Sequence, residues 1–160
     1  LAYLIIEQQV SFKAAIAIKK RFIQKVEKLT NDDIIKLSDK EMQSVGISFR
    51  KVNYIKNVFM YFKENSYDFL SASNQEVIDE LTKIKGIGVW SSEMFLMFVL
   101  MRINIFSKGD LALMNSIKIN YKIDIKNDHK LNTLVESWDP YKSVASLLLW
   151  KSIEEKYFFT

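Results

Sequence analysis

Cysteine is absent from the 160 residues, which excludes a disulfide framework, thiolate zinc sites and any Cys-ligated iron–sulfur cluster. The absence fits an intracellular protein. Proline occurs once and glycine four times, and so few chain breakers leave little room for tight hairpins. No period-2 alternation runs long enough to require a sheet. The single histidine, His129, stands in a polar segment suited to the surface. No secretory signal leads to a small-residue cleavage site, and Glu7 interrupts the opening apolar run early. The longest apolar stretch, Met94 to Phe106, contains Arg102 and Asn104 and is too short to span a bilayer. It reads as a buried helix running into a loop, and no membrane partner is expected. No repeat, low-complexity tract or flexible linker divides the chain. The sequence opens at Leu1, without an initiator methionine, inside what already reads as helix, as expected of a fragment or of the ordered part of a longer protein.

What is present is helical. Hydrophobic residues make up 49% and charged residues 26%, the proportions of a soluble globular domain, and Lys, Glu, Ile, Leu and Met are abundant. An all-α fold follows. The segment Ala2–Val26 carries Ile5, Ile6, Val10, Ala14, Ala17, Ile18 and Phe22 on one broad face and predicts a single long amphipathic helix. Ser38 with Glu41, and Ser73 with Glu76, have capping-box spacing. Gly46 predicts a helix stop. Ser48 is placed to cap a helix containing Val52, Ile55 and Val58. Further helices are expected over Val89–Met101, from Asp110, and from Asn127 or Asp128. A last one is expected from Pro140 at the first helical position, capped by Asp139 and running to about Lys156.

The net charge of +4 and pI near 9.1 favour a polyanionic partner only weakly. Lys19-Lys20-Arg21 and Arg50-Lys51 are clusters, but charge runs on helices are usually solvated faces. Charge alone does not specify DNA.

Between two helical segments lies Leu81-Thr82-Lys83-Ile84-Lys85-Gly86-Ile87-Gly88-Val89-Trp90-Ser91-Ser92. Glycine permits positive φ and close approach of another backbone. Two glycines one residue apart reverse the chain and aim successive N–H groups outward at the start of the next helix. Such a helix start is a phosphate site; a plain αα-hairpin would also need glycine for its turn. The dinucleotide fingerprint G-x-G-x-x-G is excluded, because no strand precedes it and Ser91 stands at the third glycine position.

This segment resembles the helix–hairpin–helix of the DNA glycosylase superfamily that carries a Gly/Pro-rich loop and a catalytic aspartate (HhH-GPD), here over about residues 77–101. The resemblance runs from Ile5 to Trp150 and treats residues 1–160 as one glycosylase domain, without the N-terminal β-domain of longer members. It implies a two-lobed helical fold with the active-site cleft between the lobes. It also implies that the hairpin binds a DNA phosphate through Lys85, Gly86, Ile87, Gly88 and Ser91. Backbone carbonyls of Thr82, Ile84 and Ile87 would hold a K+ or Na+ ion, no other cofactor being required.

The same resemblance predicts an aspartate about 20 residues beyond the hairpin, and Phe106-Ser107-Lys108-Gly109-Asp110-Leu111 supplies it. Ser107 stands where the family often has proline. From spacing alone Asp110 is an N-cap; within the family pattern it is the catalytic carboxylate and Gly109 a DNA contact, with no second acid evident. Trp90 occupies the position where bifunctional relatives have a lysine that forms a Schiff base, so no lyase activity is expected. Trp90 resembles the 3-methyladenine DNA glycosylase II branch. In that branch Trp90 and Trp150 would sandwich the flipped base, with Met94 and Leu111 lining its pocket. Met94 departs from the tyrosine of one member of the branch, though Glu93-Met94 is common in others. Trp138 reads as structural. Ile6-Glu7-Gln8-Gln9 with Ala14-Ala15 resembles an early family segment, in which Gln9 would wedge into the gap left by the flipped nucleotide. Arg50-Lys51 and Tyr54 match a further segment. The implied protein is a monomeric, monofunctional glycosylase acting on alkylated purines in duplex DNA, in the nucleoid or the nucleus. The alternatives are a uracil or mismatch glycosylase and a non-catalytic DNA-binding module.

Overall fold

The computed structural model describes residues 1–158, the side chains of Phe12 and of residues 154–158 excepted. Among the described residues every regular element is an α-helix, ten in chain order. None is long and apolar enough to cross a membrane. The chain forms two compact units, Leu1–Ser91 and Ser92–Thr160.

The first unit contains α1 (Ala2–Glu7), α2 (Phe12–Val26), α3 (Asn31–Lys36), α4 (Asp39–Gln43), α5 (Phe49–Glu64) and α6 (Asn74–Leu81). Apart from α1, whose start has no side-chain cap, its helix starts are set by side-chain caps. Thr30 with Asp33, Ser38 with Glu41 and Ser73 with Glu76 close reciprocal capping boxes, and Ser48 accepts the Lys51 N–H. Each satisfies N–H groups that a helix start leaves without partners, a contribution of about 1 kcal/mol. Gly46, at φ +101, follows α4 in a conformation that favours glycine. Ile5, Ile6, Phe22, Met42, Val52 and Ile55 are buried almost completely, and the apolar area they remove from water stabilises this unit.

The single helix expected over Ala2–Val26 is two helices. α1 ends at Glu7, Gln9 turns left-handed at φ +55, and Ser11 caps α2 by accepting the Ala14 N–H at 3.3 Å. The break is stabilised from far away in sequence. Lys51 Nζ donates to the Ile6 and Gln8 carbonyls at 2.8 and 2.6 Å, filling acceptor positions that helical N–H groups would otherwise take.

α7 (Val89–Phe98) begins in the first unit and continues into the second, which also holds α8 (Leu111–Tyr121), α9 (Asp128–Glu136) and α10 (Lys142–Phe158). Leu113, Met114 and Ile117 of α8, Leu131 and Val135 of α9 and Leu149 of α10 form its core. Trp138 packs on this core and lies 5.7 Å from the Phe106 ring and 5.9 Å from that of Tyr121, a structural place. α7 stops with Met101 left-handed at φ +53 and the Arg102 N–H returning to the Leu96 carbonyl. α10 starts at Lys142 rather than at Pro140. The Asp139–Pro140 peptide is cis, and the Tyr141 N–H donates to the Trp138 carbonyl at 2.6 Å. Asp139 accepts from Asn104 Nδ2 at 2.7 Å instead of capping a helix.

Candidate functional site

The hairpin is built against α5. Leu81, Ile84 and Ile87 are buried, and the Ile87 N–H closes a tight turn onto the Ile84 carbonyl at 2.9 Å. Gly86 adopts φ +109, and a Cβ there would sit 2.3 Å from Cγ of Tyr54. Asn57 Nδ2 donates to the Lys85 carbonyl at 3.2 Å. The two glycines therefore differ. Gly86 is required by the fold, whereas a methyl built on Gly88 would meet no atom within 4 Å and Gly88 is exposed. Lys85 and Val89 are exposed too, so the start of α7 lies at the surface. Ser91 is buried at 2% exposure and Trp90 is partly buried. The Ile84 carbonyl, already accepting the Ile87 N–H, keeps a second lone pair.

In the same unit Gln9 is exposed at the α1–α2 break, in a left-handed conformation uncommon outside glycine. Lys51 beneath it is partly buried and its ammonium is held below the usual lysine range, by desolvation first and by the Arg50 charge second. Lys51→Met keeps the aliphatic stem but leaves two carbonyls without their charged donor. It is expected to lower stability by about 1–3 kcal/mol and to speed amide exchange around Gln9. Thermal unfolding and hydrogen exchange measure the two effects.

The second unit holds the carboxylate. Asp110 is the N-cap of α8, buried to 8% exposure. Its Oδ1 accepts the Leu113 N–H at 2.9 Å and the Trp150 indole N–H at 3.2 Å. Its own N–H donates to the Ser107 carbonyl at 3.2 Å. The cap and the placed carboxylate are thus one side chain: capping fixes one oxygen and the orientation of the group. Trp150 is partly buried and stacks on Phe98, ring centroids 5.9 Å apart and planes 28° apart.

A second acid belongs to this neighbourhood, contrary to the expectation that none accompanies Asp110. Glu93 on α7 accepts a hydrogen bond from the hydroxyl of Ser107, itself completely buried. Burial pushes the Glu93 carboxyl above the usual range, the Ser107 hydrogen bond opposes this, and the Asp110 charge adds to the rise. Sequence offered one signal: Glu93 is the only charged residue in the apolar run of α7. Phe98, half-exposed beside Trp150, was equally unmarked.

The remaining predicted residues have these places. Met94 is buried at 3% exposure, Leu111 is 79% exposed next to Asp110, and Gly109 stands in an open position. His129 is exposed on α9. Among the described residues no group of three or more His, Cys, Asp or Glu side chains could hold a metal ion.

Residues 2–140 match the family described as HhH-GPD superfamily base excision DNA repair protein. The Bacillus subtilis protein YfjP is 30% identical over 163 residues, covering 94% of this chain and 56% of its own length. The chain therefore spans little more than half of that relative. Among solved structures, a DNA-3-methyladenine glycosidase from Bacillus halodurans is 38% identical with a TM-score of 0.79, over 94% of this chain and 72% of that one. The Schizosaccharomyces pombe 3-methyladenine DNA glycosylase in complex with abasic DNA is 28% identical with a TM-score of 0.85, over 96% of this chain and 78% of that one.

Proposed function

The chain belongs to the HhH-GPD superfamily of base excision DNA repair proteins, and on that premise we propose that it is a monofunctional DNA glycosylase hydrolysing the N-glycosidic bond of alkylated purines. The observation that carries this reading is Asp110: a nearly buried carboxylate oriented by a backbone N–H and an indole N–H, with the aromatic pair Trp150 and Phe98 beside it. Departure of the base leaves positive charge on the sugar, as in glycoside hydrolysis. A carboxylate held in a low-dielectric site stabilises that charge and aligns the attacking water. Bases such as 3-methyladenine and 7-methylguanine already carry positive charge and need little protonation, so one such carboxylate suffices for them. The electron-rich ring of Trp150 would stack on a cationic base. Trp90 offers no amine, so no Schiff base and no strand cleavage follow.

The partner is duplex DNA, bound by a monomer. The phosphate lies on the hairpin at Gly86–Gly88 with Lys85 nearby, and Gln9 enters the stack where the nucleotide leaves, a step that costs a few kcal/mol. The carbonyls of Thr82, Ile84 and Ile87 would hold a K+ or Na+ ion, adding positive charge behind the phosphate site.

Duplexes carrying a single 7-methylguanine, 3-methyladenine or uracil test the reading. Free alkylated base is expected, with the strand intact until alkali is added and no covalent adduct after borohydride. Release of uracil alone would move the substrate class, and DNA binding without release of any base would leave only a binding module. Gly88→Ala, with open space for its methyl, is expected to keep stability within about 0.5 kcal/mol. It should weaken binding to duplex DNA about tenfold by crowding one charge-assisted hydrogen bond. Fluorescence anisotropy at fixed salt reads the difference.

A further inference from the structure

We propose that Glu93 is a positioning residue for Asp110, acting through the buried hydroxyl of Ser107. The inference rests on the reading of Asp110 given above and extends it to residues that the hairpin and the aspartate did not mark.

The segment leading to Asp110 contains no proline, since the only one in the chain is Pro140, and Gly109 adds freedom immediately before the carboxylate. Its geometry must therefore be held by bonds. At its front, the Ile105 N–H donates to Ser143 Oγ at 3.0 Å, while that hydroxyl donates to the Arg102 carbonyl at 2.7 Å. At its rear, one residue does two things. Ser107 donates its hydroxyl to Glu93 and accepts the Asp110 N–H on its carbonyl. Moving Ser107 therefore moves the peptide that carries Asp110, and with it the oxygen shared between Leu113 and Trp150.

Burial makes this link specific. Ser107 is wholly excluded from solvent, so its hydroxyl has no water to turn to and must find a protein acceptor. A carboxyl is the stronger acceptor than an amide or hydroxyl. Glu93 stands on α7, whose other side chains are apolar or small, and a partly buried carboxyl there is costly unless it has a partner. The pair satisfies both groups. The Asp110 charge reaches Glu93 as well, so the two carboxyls share one neighbourhood, in which Asp110 carries the Trp150 indole contact.

The test uses the full chain, single-turnover release of 7-methylguanine from duplex DNA, and the indole N–H resonance of Trp150, assigned by Trp→Phe variants. Ser107→Ala and Glu93→Ala are each expected to lower the maximal release rate by about 10- to 100-fold through misplacement of Asp110. The DNA concentration at half-saturation should stay unchanged, and the Trp150 resonance should shift. Glu93→Gln keeps an acceptor for the hydroxyl and should recover most of what Glu93→Ala loses. The double variant Ser107→Ala, Glu93→Ala should fall no further than either single one. A wild-type rate with an unmoved resonance in Ser107→Ala overturns the proposal. So does collapse of the rate in Glu93→Gln with the resonance in place, because the charge would then act directly. If the wild type releases no base yet Ser107→Ala shifts the resonance, the positioning holds and the glycosylase reading fails.

Discussion

Asp110→Asn is expected to lose release of 7-methylguanine by about a thousandfold while melting at nearly the wild-type temperature. The two outcomes separate because the side chain has two duties. As the N-cap of α8 it needs an oxygen that accepts the Leu113 N–H and the Trp150 indole N–H, and the amide oxygen of asparagine does both; Asn ranks with Asp as a cap. As a catalytic group it needs full negative charge facing the developing cation of the sugar, which asparagine lacks. Asp110→Ala is expected to fail at both: loss of the cap costs about 1 kcal/mol, and the indole N–H of Trp150 loses the carboxylate oxygen it donates to, in a partly buried place. A purely capping role predicts the reverse pattern, with Asn as active as wild type and only Ala impaired. Base release by reversed-phase separation, beside thermal unfolding of the three proteins, decides between them. Equal release by wild type and Asp110→Asn would remove the catalytic assignment.

How far the site could be read in advance depended on how local its determinants are. The hairpin, Asp110 and the caps at Ser38, Ser48 and Ser73 are set by residues three or four apart, and each was legible. The capping box of Thr30 and Asp33 is equally local but carries Asp where Glu or Gln usually marks the motif, so the sequence does not announce α3. The α1–α2 break was hidden for another reason. The apolar period continues through Ile5, Ile6, Val10 and Ala14, while the group that stabilises the break, Lys51, comes from α5. Glu93 and Ser107 are 14 positions apart, and neither residue type in isolation announces the other. The resemblance singles out Trp150, yet its hydrogen bond to a carboxylate 40 positions earlier and its stack on Phe98 needed coordinates. Periodicity reports which face is buried; it is silent on which polar groups meet there.

The hairpin glycines carry the second large effect. Gly86→Ala is expected to destabilise the protein by about 3–5 kcal/mol, from a backbone conformation costing about 1–3 kcal/mol and an overpacking cost of similar size. At φ +109 the added Cβ would lie 2.3, 2.5 and 2.7 Å from Cγ, Cβ and Cδ2 of Tyr54, atoms that cannot swing away as the end of a flexible chain could. Because Cβ of Tyr54 is itself within 2.5 Å, trimming that residue to alanine leaves a clash in place. Tyr54→Ala should therefore fail to rescue Gly86→Ala and should add its own loss of ring packing, an outcome that simple relief of crowding would not give. Against a total stability of about 5–15 kcal/mol for an ordinary domain, the single substitution threatens the fold of the first unit. DNA binding should disappear with it in proportion to the unfolded fraction. Urea denaturation with a DNA-binding isotherm on the same samples separates this from Gly88→Ala, in which binding weakens while the denaturation midpoint stays. If Gly86→Ala kept the wild-type midpoint, the close packing of Tyr54 on the turn would be wrong. The hairpin would then owe its shape to the buried Leu81, Ile84 and Ile87 and to the Asn57–Lys85 hydrogen bond.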